Sequence, residues 1–209
     1  MKLEGVHHVT AITGDAPRNV DFYARVLGLR LVKKSVNQDD PTVYHLFYGD
    51  DEGAPGNDIT FFEYPGARQG KAGAGMVHTV GWRVASPDAV DFWEGRLADE
   101  GVAGERYEDG AFAFHDPEGL RHALIPGESE DEPLIADHPE VPKEFALQGF
   151  HGVRAYAARS AAGSTSTTGT MSRASPARAR STTWPGPRRS TSTKPGSGAS
   201  LRAAPHPRP

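Results

Sequence analysis

The chain repeats itself, and that repeat limits the folds open to it. Val20-Asp21-Phe22-Tyr23 returns as Val90-Asp91-Phe92-Trp93, an offset of 70 residues that also sets His78 on His8 and Pro87 on Pro17. Self-similarity at a fixed period marks a supersecondary unit that buries its apolar face against a neighbour. Each copy opens with a strand-like run, residues 6–13 and 76–84. A helix start follows, with Asp15 or Ser86 as N-cap and proline in the first turn. Val20, Tyr23, Val26 and Leu27 keep helical spacing in the first copy, and Val90, Trp93 and Leu97 in the second. Gly28 and Gly101 then read as helix stops.

After the first helix come strand candidates at residues 29–36, 42–48 and 58–64, the last two separated by a turn-rich stretch at 49–57. After the second, residues 111–115 and 120–125 flank the turn Asp116-Pro117-Glu118-Gly119. The order predicts an α+β fold of tandem βαβββ modules forming curved mixed sheets, each sheet needing a partner for its apolar face. The expected divisions are residues 1–68, 69–145, an incomplete third module at 146–158, and a low-complexity disordered tail at 159–209. Gly149-Phe150-His151-Gly152-Val153 matches Gly5-Val6-His7-His8-Val9 and starts the third copy. The helix due next is replaced by Ser, Thr, Arg, Pro and Gly without apolar periodicity. Such a tail is either an evolved disordered arm or the product of a shifted reading frame. The second reading is favoured, because Ser181-Thr182-Thr183-Trp184-Pro185 can be encoded over Tyr-Tyr-Leu-Ala in a neighbouring frame.

Charge follows the same division. Residues 1–144 carry 27 acidic and 13 basic side chains, a balance of 13 − 27 = −14, whereas residues 145–209 carry ten basic and no acidic ones. The basic tail has few aromatics, so no nucleic-acid partner is expected. With no cysteine in the sequence, disulfides and thiolate chemistry are excluded, and a metal would fall to His and carboxylate ligands. The opening lacks the apolar run of a signal peptide and no stretch approaches membrane-spanning length, so a soluble cytoplasmic chain is expected. Phosphate-cradling loops, a Gly-x-Ser-x-Gly elbow and a cysteine nucleophile are all missing.

In Gly5-Val6-His7-His8-Val9-Thr10, strand alternation puts the two histidines on opposite faces. Taken alone, the pair reads as sheet and surface histidines or as a metal ligand with a neighbour. His-His-Val-Thr, Val-Asp-Phe-Tyr, the run from Val26-Leu27-Gly28 to Lys33-Lys34, and Tyr44-His45-Leu46-Phe47-Tyr48-Gly49-Asp50 together resemble the vicinal-oxygen-chelate superfamily. The similarity covers residues 5–156 and is greatest to its ring-cleaving, hydroquinone-type dioxygenase branch. That resemblance implies four modules and one Fe(II), with Mn(II) as an alternative, held by two His and one Glu. An aromatic diol substrate and O2 would bind at its open positions. It also implies His8 as a ligand and His7 as an acid/base group beside it.

The same resemblance implies that the remaining His and Glu come from a fourth module. The superfamily's carboxylate follows the turn glycine by four residues, a count that reaches Thr60 from Gly56 and Ala123 from Gly119. His78 and Glu63 are the substitute ligands to consider, although odd spacing from Thr60 sets Glu63 on the other face unless the strand bulges. His45 is a candidate to line a substrate cleft, His115 and His122 read as surface positions, and Lys33-Lys34 as a solvated strand end. The functions in play are an extradiol-type dioxygenase left incomplete in this chain, a metal-free binding protein, a glyoxalase I-type isomerase, or an inactive fragment. An unfinished third module would leave an apolar face exposed, so homo-oligomerisation is expected.

Overall fold

A computed structural model describes residues 5–157 of the chain; the tail expected from residue 159 lies outside the described residues. Strand β1 (His8–Thr13) leads into helix α1 (Ala16–Val20), which continues as a π-helical turn (Asp21–Val26). β2 (Arg30–Val36), β3 (Tyr44–Gly49) and β4 (Asp58–Glu63) complete a sheet of order β1-β4-β3-β2, with β1 parallel to β4 and the other pairs antiparallel. β5 (Val77–Val84), α2 (Pro87–Asp99), β6 (Gly104–Arg106), β7 (Phe112–His115) and β8 (Arg121–Pro126) repeat the pattern. β9 (Phe150–Ala155), which carries the sequence match to the opening of β1, adds antiparallel to β5 and gives a second sheet of order β6-β7-β8-β5-β9. The α+β arrangement read from the sequence is thus present. β6 escapes a pattern search because its three exposed residues include Gly104, and the ring of Phe112 fills the space a Cβ would take there.

The helix ends follow from local chemistry. Asp15 Oδ1 accepts from the Arg18 amide at 3.1 Å and Ser86 Oγ from the Ala89 amide at 3.2 Å, each satisfying a donor with no partner in its own helix. Gly28 and Gly101 leave the helices at φ +67° and +73°, a left-handed conformation that costs glycine little. The N-caps are 86 − 15 = 71 residues apart, yet buried Tyr23 and Trp93 are 93 − 23 = 70 apart. The π-helical turn absorbs this one-residue difference, as π-bulges do. The repeat therefore runs at 70 along the helices and at 71 along the opening strands. Core-facing Val9 matches Val80, and His8 matches Thr79 rather than His78. His78 is the counterpart of His7.

Both sheets turn their helix-bearing faces into one apolar cluster that includes Val9, Tyr23, Tyr48, Phe61, Trp82, Trp93, Phe114 and Leu124. A chain of polar groups crosses this cluster between the repeats. The indole N–H of Trp82 donates to His122 Nδ1 at 3.0 Å, which leaves the imidazole proton on Nε2. Nε2 donates to the Tyr23 hydroxyl at 2.9 Å, and that hydroxyl donates to Asp116 Oδ2 at 2.9 Å. His122 is fully buried, which corrects its assignment to the surface; it faces inward because β8 pairs it with Val80. Burial, aided by the charge of His115, pushes its pKa down to about 3. Burial also raises the carboxyl of Asp116, although it accepts the Leu120 and Glu118 amides at 2.7 and 2.9 Å.

Replacing Tyr23 with Phe leaves a buried imidazole and a buried carboxyl each short of a partner. Urea denaturation is expected to show a loss of roughly 1–3 kcal/mol. The folded pKa of His122 lies below the ordinary value of 6.5, so the unfolded chain takes up this proton first. Its contribution to stability is complete above about pH 6.5 and is lost as pH falls toward 3. Stability measured from pH 7 down to pH 4 should fall less steeply in His122→Leu than in the parent; equal slopes would contradict the assignment.

Candidate functional site

The parallel ladder from His8 against Asp58 to Thr13 against Glu63 is continuous and decides which side chains share a face. Val9, Ile59 and Phe61 point to the core. His8, Thr10, Asp58 and Thr60 share the other face, where the Thr10 and Thr60 hydroxyls meet at 3.0 Å. β3 adds His45 and Phe47, in register with Phe62 and Thr60. β2 adds Lys33 opposite Phe47, its ammonium 5.8 Å from the ring centroid. The open face of the first sheet therefore gathers two histidines, two threonines, a carboxyl, two phenylalanines and a lysine.

Its charge state follows from partial burial. Burial, then the neighbouring cation of His7, lowers the pKa of His8. Burial, then His8 and Lys33, lowers His45 to about 4. Both imidazoles are neutral at pH 7. Asp58 is raised to about 6, mainly by burial, while His7 pulls it down and Asp50 pushes it up. The His45 ring lies 3.9 Å from both Phe47 and Phe62, centroid to centroid. Its Nε2 is buried and has no hydrogen-bond partner among the described residues. The sequence reading passed over Asp58, because only the long-range pairing of β1 with β4 sets it beside His8.

The remaining sequence-derived candidates are spread over different surfaces. His7 Nδ1 lies 3.1 Å from His8 Nδ1, so these two are brought together. Glu63 is on the core side, where Oε1 accepts the Ala16 amide at 2.9 Å at the start of α1. No bulge interrupts the ladder to bring it round. His78 belongs to the second sheet, bonded to Thr79 Oγ1 at 2.9 Å and packed 4.4 Å from the Tyr156 ring. Thr60 and Ala123 occupy matching places in the two ladders, and neither carries a carboxylate. A facial triad needs two imidazoles and one carboxylate converging on a point. Among the described residues no three His, Asp or Glu side chains do so. The residues present do not fit the iron ion that the resemblance implies.

Comparison with known proteins yields one matching family model, the glyoxalase/bleomycin resistance protein/dioxygenase superfamily, over residues 5–124. The chain is 43% identical over 155 residues to "Putative ring-cleaving dioxygenase MhqA" of Bacillus subtilis (strain 168), a match covering 72% of this chain and 49% of that protein. It is 36% identical over 157 residues to the chlorohydroquinone/hydroquinone 1,2-dioxygenase of Sphingobium indicum, again covering 72% and 49%. A crystal structure of a "putative dioxygenase" from Bacillus subtilis superposes with a TM-score of 0.68 at 44% identity, over 73% of this chain and 49% of that one. The chain spans about half the length of these relatives.

The charge balance of the open face can be read directly. NMR titration of Asp58 should give a midpoint near 6. His7→Gln removes the cation that lowers it, so the midpoint should move up; a downward move would contradict the stated balance.

Proposed function

The chain belongs to the glyoxalase/bleomycin resistance protein/dioxygenase superfamily, and on that premise we propose that its first sheet presents the substrate side of a ring-cleaving dioxygenase site for hydroquinone- or catechol-like aromatics. Alone, the described residues bind the diol without turning it over. The observation that carries this reading is the open face itself. His8, His45 and Asp58 stand beside Phe47 and Phe62, while Thr60 stands where a carboxylate ligand would be needed.

Each group has a role in holding a flat diol. Phe47 and Phe62 offer apolar ring surface, and a bound aromatic gains by offset or edge contact with them. The neutral imidazole of His8, its Nδ1 engaged by His7, meets a phenolic hydroxyl through Nε2. His45 holds the two phenylalanines in place, its ring 3.9 Å from each. Ionised above about pH 6, Asp58 adds an acceptor at the end of the strip. Lys33 stabilises negative charge that develops on a bound phenol. In the chemistry that the resemblance implies, an iron ion and O2 would supply the oxidation; no step through the metal is assigned to these residues, because they do not complete its ligand set. An isomerase of the glyoxalase I kind is disfavoured for the same reason, since Thr60 and Ala123 give it no carboxylate.

The test pairs binding with turnover. NMR titration with hydroquinone or catechol should shift Phe47, Phe62 and His45 resonances, while iron added under anaerobic conditions stays substoichiometric and O2 uptake stays at background. One iron per chain with ring cleavage, both abolished in His8→Ala, would overturn the reading. His45→Ala removes the ring between Phe47 and Phe62, so diol affinity should fall by about 2–10-fold. His45→Phe keeps the stack and should lose neither affinity nor stability, because the buried imidazole nitrogen has no partner to lose.

A further inference from the structure

His78 takes no part in the first-sheet site, and the second sheet gives it other company. Where β5 runs antiparallel to β9 the register slips: Val77 pairs with Ala155, and Thr79 already pairs with Arg154. His78 is the extra residue, and a bulge of this kind re-aims a side chain. Its imidazole turns onto the face that Thr79 and Arg154 share. There Nδ1 lies 2.9 Å from Thr79 Oγ1, and the ring lies 4.4 Å from that of Tyr156. Tyr156, two residues beyond Arg154, falls on the same face by alternation. The ladder reaches that far, because the Tyr156 amide donates to the Met76 carbonyl and its own carbonyl accepts the Gly75 amide.

Two guanidinium groups border this pair of rings. Thr79 is paired with Arg121 on one side and with Arg154 on the other, so the arginines flank it on one face, about 10 Å apart at the backbone. Among the described residues neither forms an ion pair, although residues 1–144 carry 27 acidic side chains. Arg121 gives one N–H to the Tyr107 hydroxyl, which itself donates to Glu105. Arg154 is exposed, and Tyr156 beside it is 43% exposed, which leaves ring surface open.

We propose that this corner of the second sheet binds a planar organic carboxylate. Arg154 meets the carboxylate with two parallel N–H donors, a fork that matches its two oxygens. The ring of the ligand packs on Tyr156 and His78. Thr79 positions the imidazole rather than touching the ligand, since it is only 3% exposed and its hydroxyl is held against His78. Arg121 adds a second positive charge across β5, and its tie to Tyr107 keeps the side chain on this face. An inorganic anion would use the guanidinium and gain nothing from the rings, whereas a neutral diol would meet the rings and leave the charge unpaired. None of these residues lies in the first sheet, so the site holds or fails separately from the dioxygenase reading.

Benzoate is the probe, with benzamide as its uncharged counterpart and acetate as the carboxylate without a ring. NMR titration of the full chain with benzoate should shift the His78 and Tyr156 ring signals saturably. Benzamide should not saturate in the same range, and acetate should bind more weakly by about fivefold or more. Arg154→Gln, at an exposed position, should lower benzoate affinity by about tenfold and leave the urea midpoint unchanged. Arg154→Lys should recover only part of that loss, because an ammonium cannot present the fork. If Arg154→Gln is unfolded by circular dichroism, Tyr156→Leu reads the ring half of the site through an affinity loss of about threefold. No saturation by benzoate below about 20 mM overturns the proposal. So do equal shifts with benzamide, or parental affinity in whichever of the two variants is folded.

Discussion

Tyr23 stands where the two repeats meet, and its hydroxyl satisfies an imidazole and a carboxyl at once. Few buried positions can be both so apolar and so specific. The ring packs 4.7 Å from Phe61 and 5.7 Å from His122, one in each sheet, so the side chain must project from its helix in one direction only. The π-helical turn containing Tyr23 meets that demand. It adds one residue to the first helix, keeps Tyr23 and Leu27 aligned with Trp93 and Leu97, and lets the strand ahead of it run at a different offset. π-Bulges are costly enough to persist only where surroundings require them, which here is the junction of the repeats.

That phase shift determines the chemistry of the open faces. In the first sheet the position beside β4 holds His8; in the second its counterpart is Thr79, paired with Arg121 rather than with an acid. The open faces are therefore unequal: His8 meets Asp58 on the first, whereas on the second Arg121 reaches the Tyr107 hydroxyl, which donates to Glu105. Partial burial keeps His8 and His45 uncharged at neutral pH. In the proposed reading such a surface takes a neutral, flat, hydroxylated ligand. A metal needs convergence instead, and among the described residues no three His, Asp or Glu side chains supply it.

The repeat, both N-caps, both glycine stops and most strands were legible in the sequence because they rest on local rules of spacing and capping. What escaped depends on contacts between distant residues. His122 sits next to Arg121 near a turn, a context that reads as surface until the pairing with Val80 turns it inward. Asp58 reads as the end of a turn-rich loop until parallel pairing brings it to His8. A constant offset of 70 set His78 on His8, because nothing in the letters marks a helix that takes an extra residue in one turn. The spacing argument for Glu63 needed only strand alternation, and its carboxylate is found at the first turn of α1.

The central claim is that the open face of the first sheet holds a diol-binding surface with an incomplete metal-ligand set. Anaerobic titration with Co(II), followed by its visible absorption bands, tests this without relying on turnover. The account predicts weak, unsaturated binding, with saturable binding gained when Thr60→Glu places a carboxylate beside His8. Saturable one-to-one binding by the unaltered chain, with the bands of a histidine–carboxylate site and lost in His8→Ala, would contradict it.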